Sequence, residues 1–242
     1  MRHSNHSEID GVLLVDKAPG MTSHDVVAVT RRALNTKKVG HCGTLDPMAT
    51  GLLIVVVGKA TKIQDLLMAE DKEYEGTLRL GATTSTQDRE GEVLVEKPVP
   101  AFSPAEIEAA FAAFHGDFYQ IPPMVSAIKK DGVPLYKLAR QGKEVVREPR
   151  LVHVYHHAIT RFEVPEVDFR VLCSKGFYVR TYAHDIGEKL GCGAHLSALR
   201  RTRSGKFDLS RSVTFDQVKN GPRSELLARL ISLPEVSRLR GV

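Results

Sequence analysis

Hydrophobic positions along this chain change period several times, and each change marks a predicted element. The most apolar run, "GLLIVVVG" at 51–58, has no polar position and is bounded by glycine, which predicts a strand in the middle of a sheet covered on both faces. "GVLLVDKAPG" reads as another buried strand that leaves into a loop at Lys17. Between them "TSHDVVAVTRRAL" takes a helical repeat: Thr22 and Asp25 have capping-box spacing, and Val26, Val29 and Ala33 share a face. Residues 74–80, "YEGTLRL", alternate and predict a strand, while "GATTSTQDREGEV" reads as a loop. "SPAEIEAAFAAFHG" is the clearest helix: Ser103 caps, Pro104 sits in the first turn, Glu106 closes the box and Gly116 ends it. "FYQIPPMVSAIKKDGVPLYKLARQG" is interrupted by proline and then helical from about Pro134. Two β-rich runs from Leu151 to Cys173 are separated by Pro165, and "SKGFYVRTYAHDIGEKLG" turns from a strand end into a helix. The tail beyond Ser212 predicts one short amphipathic helix, "SELLARLISL". Such alternation of short pieces points to an α/β or α+β class and away from a bundle or sandwich.

Composition bounds the function without naming it. The 242 residues, 42% hydrophobic, suffice for one large core or two subdomains sharing one, as in a soluble globular protein. No apolar run approaches the roughly 20 residues that span a bilayer, and "MRHSNHSEID" is polar without a signal-peptide segment, so the cytoplasm is the expected compartment. Three widely spaced cysteines, Cys42, Cys173 and Cys192, suit a reducing environment better than a disulfide framework. The formal net charge of +5 favours a polyanionic partner.

Several familiar chemistries fall away. "GKAT" at 58–61 lacks the Ser or Thr directly after Lys59 that a phosphate loop needs, and no G-x-S-x-G nucleophile elbow occurs. Cys192 and His195 have zinc-ligand spacing, but other ligand types are single and scattered, so no metal is expected. His153, His156 and His157 read as a solvated strand face. The basic run "LRRTRSGK" at 199–206 is either a solvated surface or a patch that tracks phosphates. Tyr74, Tyr119, Tyr136, Tyr178 and Tyr182 are candidate stacking platforms, each also at home half-buried in a core. Last, "GHCGTLDPMATG" at 40–51 sets Asp46 directly before Pro47, with Gly40, His41 and Gly43 upstream and the most apolar strand downstream. Asp-Pro alone is turn chemistry.

Four pieces, "DKAPGMTSHDVV", "GHCGTLDPMATGLL", "DKEYEGTLRLG" and "SKGFYVRTYAHDIG", together closely resemble the TruB family of pseudouridine synthases, over residues 10 to about 205 and including "GAHLSALRRTRSG". Ala18 follows the motif lysine where the family commonly has proline. The resemblance implies an α+β pseudouridine synthase fold, with a central mixed or antiparallel sheet flanked by helices and a catalytic cleft. It implies a catalytic domain over 10–212 and a short extension over 213–242 in place of a complete PUA domain, so that RNA affinity rests mainly on the catalytic part. The implied reaction converts uridine to pseudouridine at position 55 in the T loop of transfer RNA, in the cytoplasm, by a monomer, with base flipping and no cofactor or metal.

The resemblance also assigns roles. Asp46 matches the catalytic aspartate, and Arg180 the arginine that pairs with the carboxylate and keeps it charged. Tyr74 stacks on the flipped uracil and accepts a proton; Tyr178 and Leu199 pack around the base. His41 occupies the space that the flipped nucleotide vacates. Lys17 supports the active-site loop or a phosphate, and Arg200, Arg201 and Arg203 are the candidate phosphate contacts. Two alternatives stay open: an RNA-guided relative acting on ribosomal RNA, and a transfer RNA binding or folding module.

Overall fold

The computed structural model describes residues 9–126, 128–130, 132–139, 141–143 and 145–241. Strand β1 (Gly11–Lys17) leads into helix α1 (Ser23–Leu34), whose capping box is formed as the spacing predicts: Thr22 Oγ1 accepts from the Asp25 N–H, and the Asp25 carboxylate accepts from the Thr22 N–H. Strands β2 (Val39–Cys42) and β3 (Thr50–Val57) follow, then α2 (Gln64–Met68). Next come β4 (Lys72–Leu80), β5 (Ala82–Thr84), β6 (Val93–Glu96), α3 (Pro104–Ala112) and β7 (Gly116–Gln120). The minimal pair β8 (Lys129–Lys130) and β9 (Val133–Pro134) precedes α4 (Leu135–Ala139), β10 (Arg150–Glu163) and β11 (Glu166–Cys173). Helix α5 (Val179–Leu190) and strands β12 (Ala194–Ser204), β13 (Phe207–Asp208) and β14 (Val213–Thr214) lead to α6 (Phe215–Asn220), α7 (Arg223–Ala228) and α8 (Leu233–Arg240).

The chain forms two compact units, one of residues up to Glu70 together with Arg201 onward, the other of Asp71–Arg200. In the first, β3 lies antiparallel to both β1 and β2, and β14 adds to β1 in parallel, so the sheet is mixed. Every residue of β3 after Thr50 is buried, as its unbroken apolar run predicts. A core of Val12, Leu14, Leu52, Ile54 and Val56 is completed by Phe207, Ile231 and Val236 from the far end of the chain.

In the second unit β4, β11, β10 and β7 form an antiparallel order, and β4 alternates buried and partly exposed positions. Helices α3 and α5 bring Phe111 and Tyr182 edge to face at 5.7 Å, with Phe169 of β11 beside both. Ser103 and Glu106 close the predicted capping box on α3, which ends at Ala112, ahead of Gly116. The fold class is α+β.

Three expectations change here, and one open alternative is decided. The predicted loop at 81–93 holds a hairpin, because β-branched Thr83 and Thr84 pair with Val95 and Val93 of β6. The tail holds three short helices instead of one: Pro222 and Pro234 interrupt the pattern, and Thr214 and Ser232 start new helices by accepting from Gln217 and Glu235 N–H groups. Of the three histidines, His156 is exposed as expected, whereas the other two are each bonded to a carboxylate. His157 is bonded to Glu108 at 2.9 Å with its side chain 8% exposed, and His153 is bonded to Asp117 at 2.8 Å. Finally, Tyr182 is fully buried core, whereas Tyr119 is 71% exposed; the side chain of Tyr136 lies outside the described residues.

Candidate active site

Asp46 belongs to the first unit, on the segment between β2 and β3. The Ala49 N–H donates to the Asp46 carbonyl at 3.0 Å, closing a turn with Pro47 in its second position. Leu45, Met48 and Ala49 are buried to 3%, 3% and 0% exposure, so the residues around the half-buried Asp46 root its loop in the core. Ser23, at the first position of α1, donates its hydroxyl to the Leu45 carbonyl at 3.1 Å and accepts from the Leu45 N–H at 2.9 Å. The Gly20 N–H donates to the Pro47 carbonyl at 2.9 Å.

Lys17 tightens the same segment. It is 0% exposed at the end of β1, and its Nζ donates to the carbonyls of Ala18, Pro47 and Ala49 at 3.0, 3.2 and 2.7 Å. Of the two roles the resemblance allows, this geometry fits loop support, because a phosphate cannot reach a fully buried ammonium. Lys17→Met, which removes the donor from buried carbonyls, is expected to lower unfolding free energy in urea by about 1–3 kcal/mol.

Arg201 departs from its expected place at a phosphate surface. It is 1% exposed, with Nε donating to the Leu52 carbonyl at 2.7 Å and an Nη to the Gly43 carbonyl at 3.0 Å. Strand geometry is the reason: side chains two apart share a face, so Arg201 follows buried Leu199 inward. Arg200 and Arg203 are half-buried, and Arg203 lies opposite Asp208 of β13.

His41, on β2, has its ring 5.4 Å from His24, edge to face. Burial first, then the charges of His24 and Arg201, push its pKa from 6.5 down to about 4, so the imidazole is neutral at pH 7. Between pH 6.5 and about 4 the unfolded chain takes up a proton that the folded chain refuses. The stability His41 contributes is therefore intact above that window and lost as pH falls through it. His41→Gln should flatten the acid limb of a stability-versus-pH curve over this range.

In the second unit, Tyr74 occupies a buried position of β4 opposite Val171, 8% exposed. Tyr178 caps α5, and the side-chain amide of buried Gln120 holds its backbone at two points: Tyr178 N–H donates to Gln120 Oε1 at 2.8 Å, and Gln120 Nε2 donates to the Tyr178 carbonyl at 3.0 Å. Arg180, 3% exposed in the first turn of α5, donates to the carbonyls of Thr86 and Val125, both at 2.7 Å. Its Nε stands 3.7 Å from Asp88 Oδ2, and both side chains are nearly inaccessible. Leu199, on β12, is 8% exposed.

Sequence reasoning missed Gln120 and Asp88. The one available signal for Asp88 was the turn-like "QDREG", in which its Oδ1 accepts from the Glu90 N–H at 3.0 Å, two residues on. Gln120 gave none. Among the described residues, no group of three or more His, Cys, Asp or Glu could hold a metal ion, and no helix is long and apolar enough to cross a membrane.

Comparison with known proteins identifies the family. A family model described as TruB family pseudouridylate synthase (N terminal domain) matches residues 31–179, and one described as tRNA pseudouridylate synthase B C-terminal domain matches 180–232. The chain is 60% identical to the tRNA pseudouridine synthase B of Opitutus terrae, over 93% of each protein. It is 48% identical to that of Syntrophotalea carbinolica, over 95% of this chain and 75% of that one. Among solved structures it is similar to a chain of a Cbf5-Nop10-Gar1 complex, with a TM-score of 0.71 and 32% identity, covering 95% of this chain and 62% of that chain's length. The chain belongs to the TruB family of pseudouridylate synthases.

Proposed function

We propose that this protein converts uridine to pseudouridine at position 55 in the T loop of transfer RNA, with Asp46 as the acting carboxylate. In this isomerisation the C1′–N1 bond breaks, the freed uracil rotates, C1′ bonds to C5, and the C5 proton is released as N1 gains one. No atom or electron is gained or lost overall, so the reaction needs no redox partner. It needs one ionised carboxylate at the sugar, placed with little freedom to move. The observation that carries the reading is the anchoring of the Asp46 turn by Ser23, Gly20 and buried Lys17.

Tyr74 is assigned to stacking on the flipped uracil and accepting the proton, Tyr178 and Leu199 to packing around the base, and His41 to the space the base leaves. A neutral His41 suits that task, since it brings no charge to be desolvated. Arg180 is assigned to the catalytic set, and Arg200 and Arg203 to RNA phosphates. We read residues 10–212 as the catalytic portion, and the working form as a cytoplasmic monomer.

The test is incubation of the purified chain with an unmodified transfer RNA transcript, followed by mapping of pseudouridine through a carbodiimide adduct and primer extension. A single adduct at position 55 is expected; no conversion by the chain alone would overturn the reading. A guide-dependent activity is the second reading, kept because the chain is also 31% identical to one in an H/ACA RNP bound to a substrate RNA. It requires that conversion appear only when a guide RNA is added.

A further inference from the structure

Arg201 is one of the largest fully buried side chains in the protein, and the reaction above gives it no task. A guanidinium taken out of water is costly to hold, and a well-packed apolar side chain of similar volume is often as stable or more so. Its placement is specific. The two carbonyls it binds, Gly43 and Leu52, stand on either side of the segment that carries Asp46. Its own main chain is fixed as well: a Cβ added at Gly51, where φ is +96°, would meet the Arg201 carbonyl oxygen at 2.3 Å and its nitrogen at 2.8 Å. Gly43, at φ +83°, would bring a Cβ to 3.3 Å from the guanidinium. One residue thus fixes the entry and exit of the loop, while Lys17 holds its middle at Pro47 and Ala49.

We propose that Arg201 is a positioning residue for Asp46. Its planar fork bonds two carbonyls in different directions at once, which sets the separation of the two ends of the loop and so the placement of the carboxylate between them. A lysine at 201 keeps the charge but concentrates it at one point, and a methionine fills the space without bonding either carbonyl. This inference rests on Asp46 being the acting carboxylate, as proposed above.

The experiment measures single-turnover conversion and RNA affinity, with affinity repeated across a salt series, for the wild-type chain, Arg201→Met and Arg201→Lys. Thermal melting of each identifies the variants that are folded at the assay temperature; if the methionine variant is not, the lysine variant carries the test. Positioning predicts a rate lower by about 100-fold in Arg201→Met and about 10-fold in Arg201→Lys, the scale expected for a misplaced reacting group. Affinity should stay within about threefold and the salt dependence should not change. A folded variant that converts at the wild-type rate would overturn the inference and reduce Arg201 to packing. So would weakened affinity at an unchanged rate with a salt slope smaller by about one, the mark of a lost phosphate contact. Failure of the wild-type chain to convert uridine would instead reject the functional reading itself.

Discussion

Asp46→Asn is expected to abolish pseudouridine formation, with a single-turnover rate lower by about 10⁴-fold or more, while affinity for transfer RNA stays within about threefold. The asparagine keeps the size of the side chain and the turn closed by the Ala49 N–H, so the loop should keep its shape. What disappears is the negative charge, and neither attack at C1′ nor removal of a sugar proton proceeds without it. Because Leu45, Met48 and Ala49 carry the packing of this segment, the melting temperature should hardly move. Conversion that persists in Asp46→Asn would reject the assigned mechanism, and a large fall in affinity would recast the residue as a binding group.

Arg180→Met is the next largest expected effect, and it falls on stability as well as activity. Asp88 is nearly inaccessible, and removing the guanidinium 3.7 Å away leaves its carboxylate buried without that partner. The carbonyls of Thr86 and Val125 lose their 2.7 Å donors at the same time. A loss of about 3–5 kcal/mol in unfolding free energy follows. Adding Asp88→Asn to Arg180→Met should recover part of that stability without recovering conversion. A double variant no more stable than Arg180→Met would mean that the ion pair is not what stabilises this turn.

Most helix starts and the long strands were legible because their signals are local. Thr22 with Asp25, and Ser103 with Glu106, are complete in a few residues, and the apolar run of β3 needs no partner to be recognised. Pairings between segments were harder to read. Thr83 and Thr84 sit among turn-forming residues, and only Val93 and Val95 opposite make them a strand. Arg201 was misread because counting charges in "LRRTRSGK" ignores the two-residue period of a strand, which sends the middle arginine inward. Of the candidate site, the turn at Asp46 was legible from its Asp-Pro pair, whereas the Gln120 hold on Tyr178 links residues far apart in sequence and leaves no local trace.

The first unit is discontinuous in sequence, and its core is completed by Phe207, Ile231 and Val236. During synthesis the Asp46 loop leaves the ribosome well before the arginine that binds Gly43 and Leu52, some 150 residues further on, and before β14, which adds to β1 in parallel. The intervening unit is contiguous in sequence, so its internal contacts are available as soon as it emerges. On the proposal that Asp46 acts and Arg201 aims it, a nascent chain would carry the carboxylate for some 150 residues of further synthesis before it could be aimed.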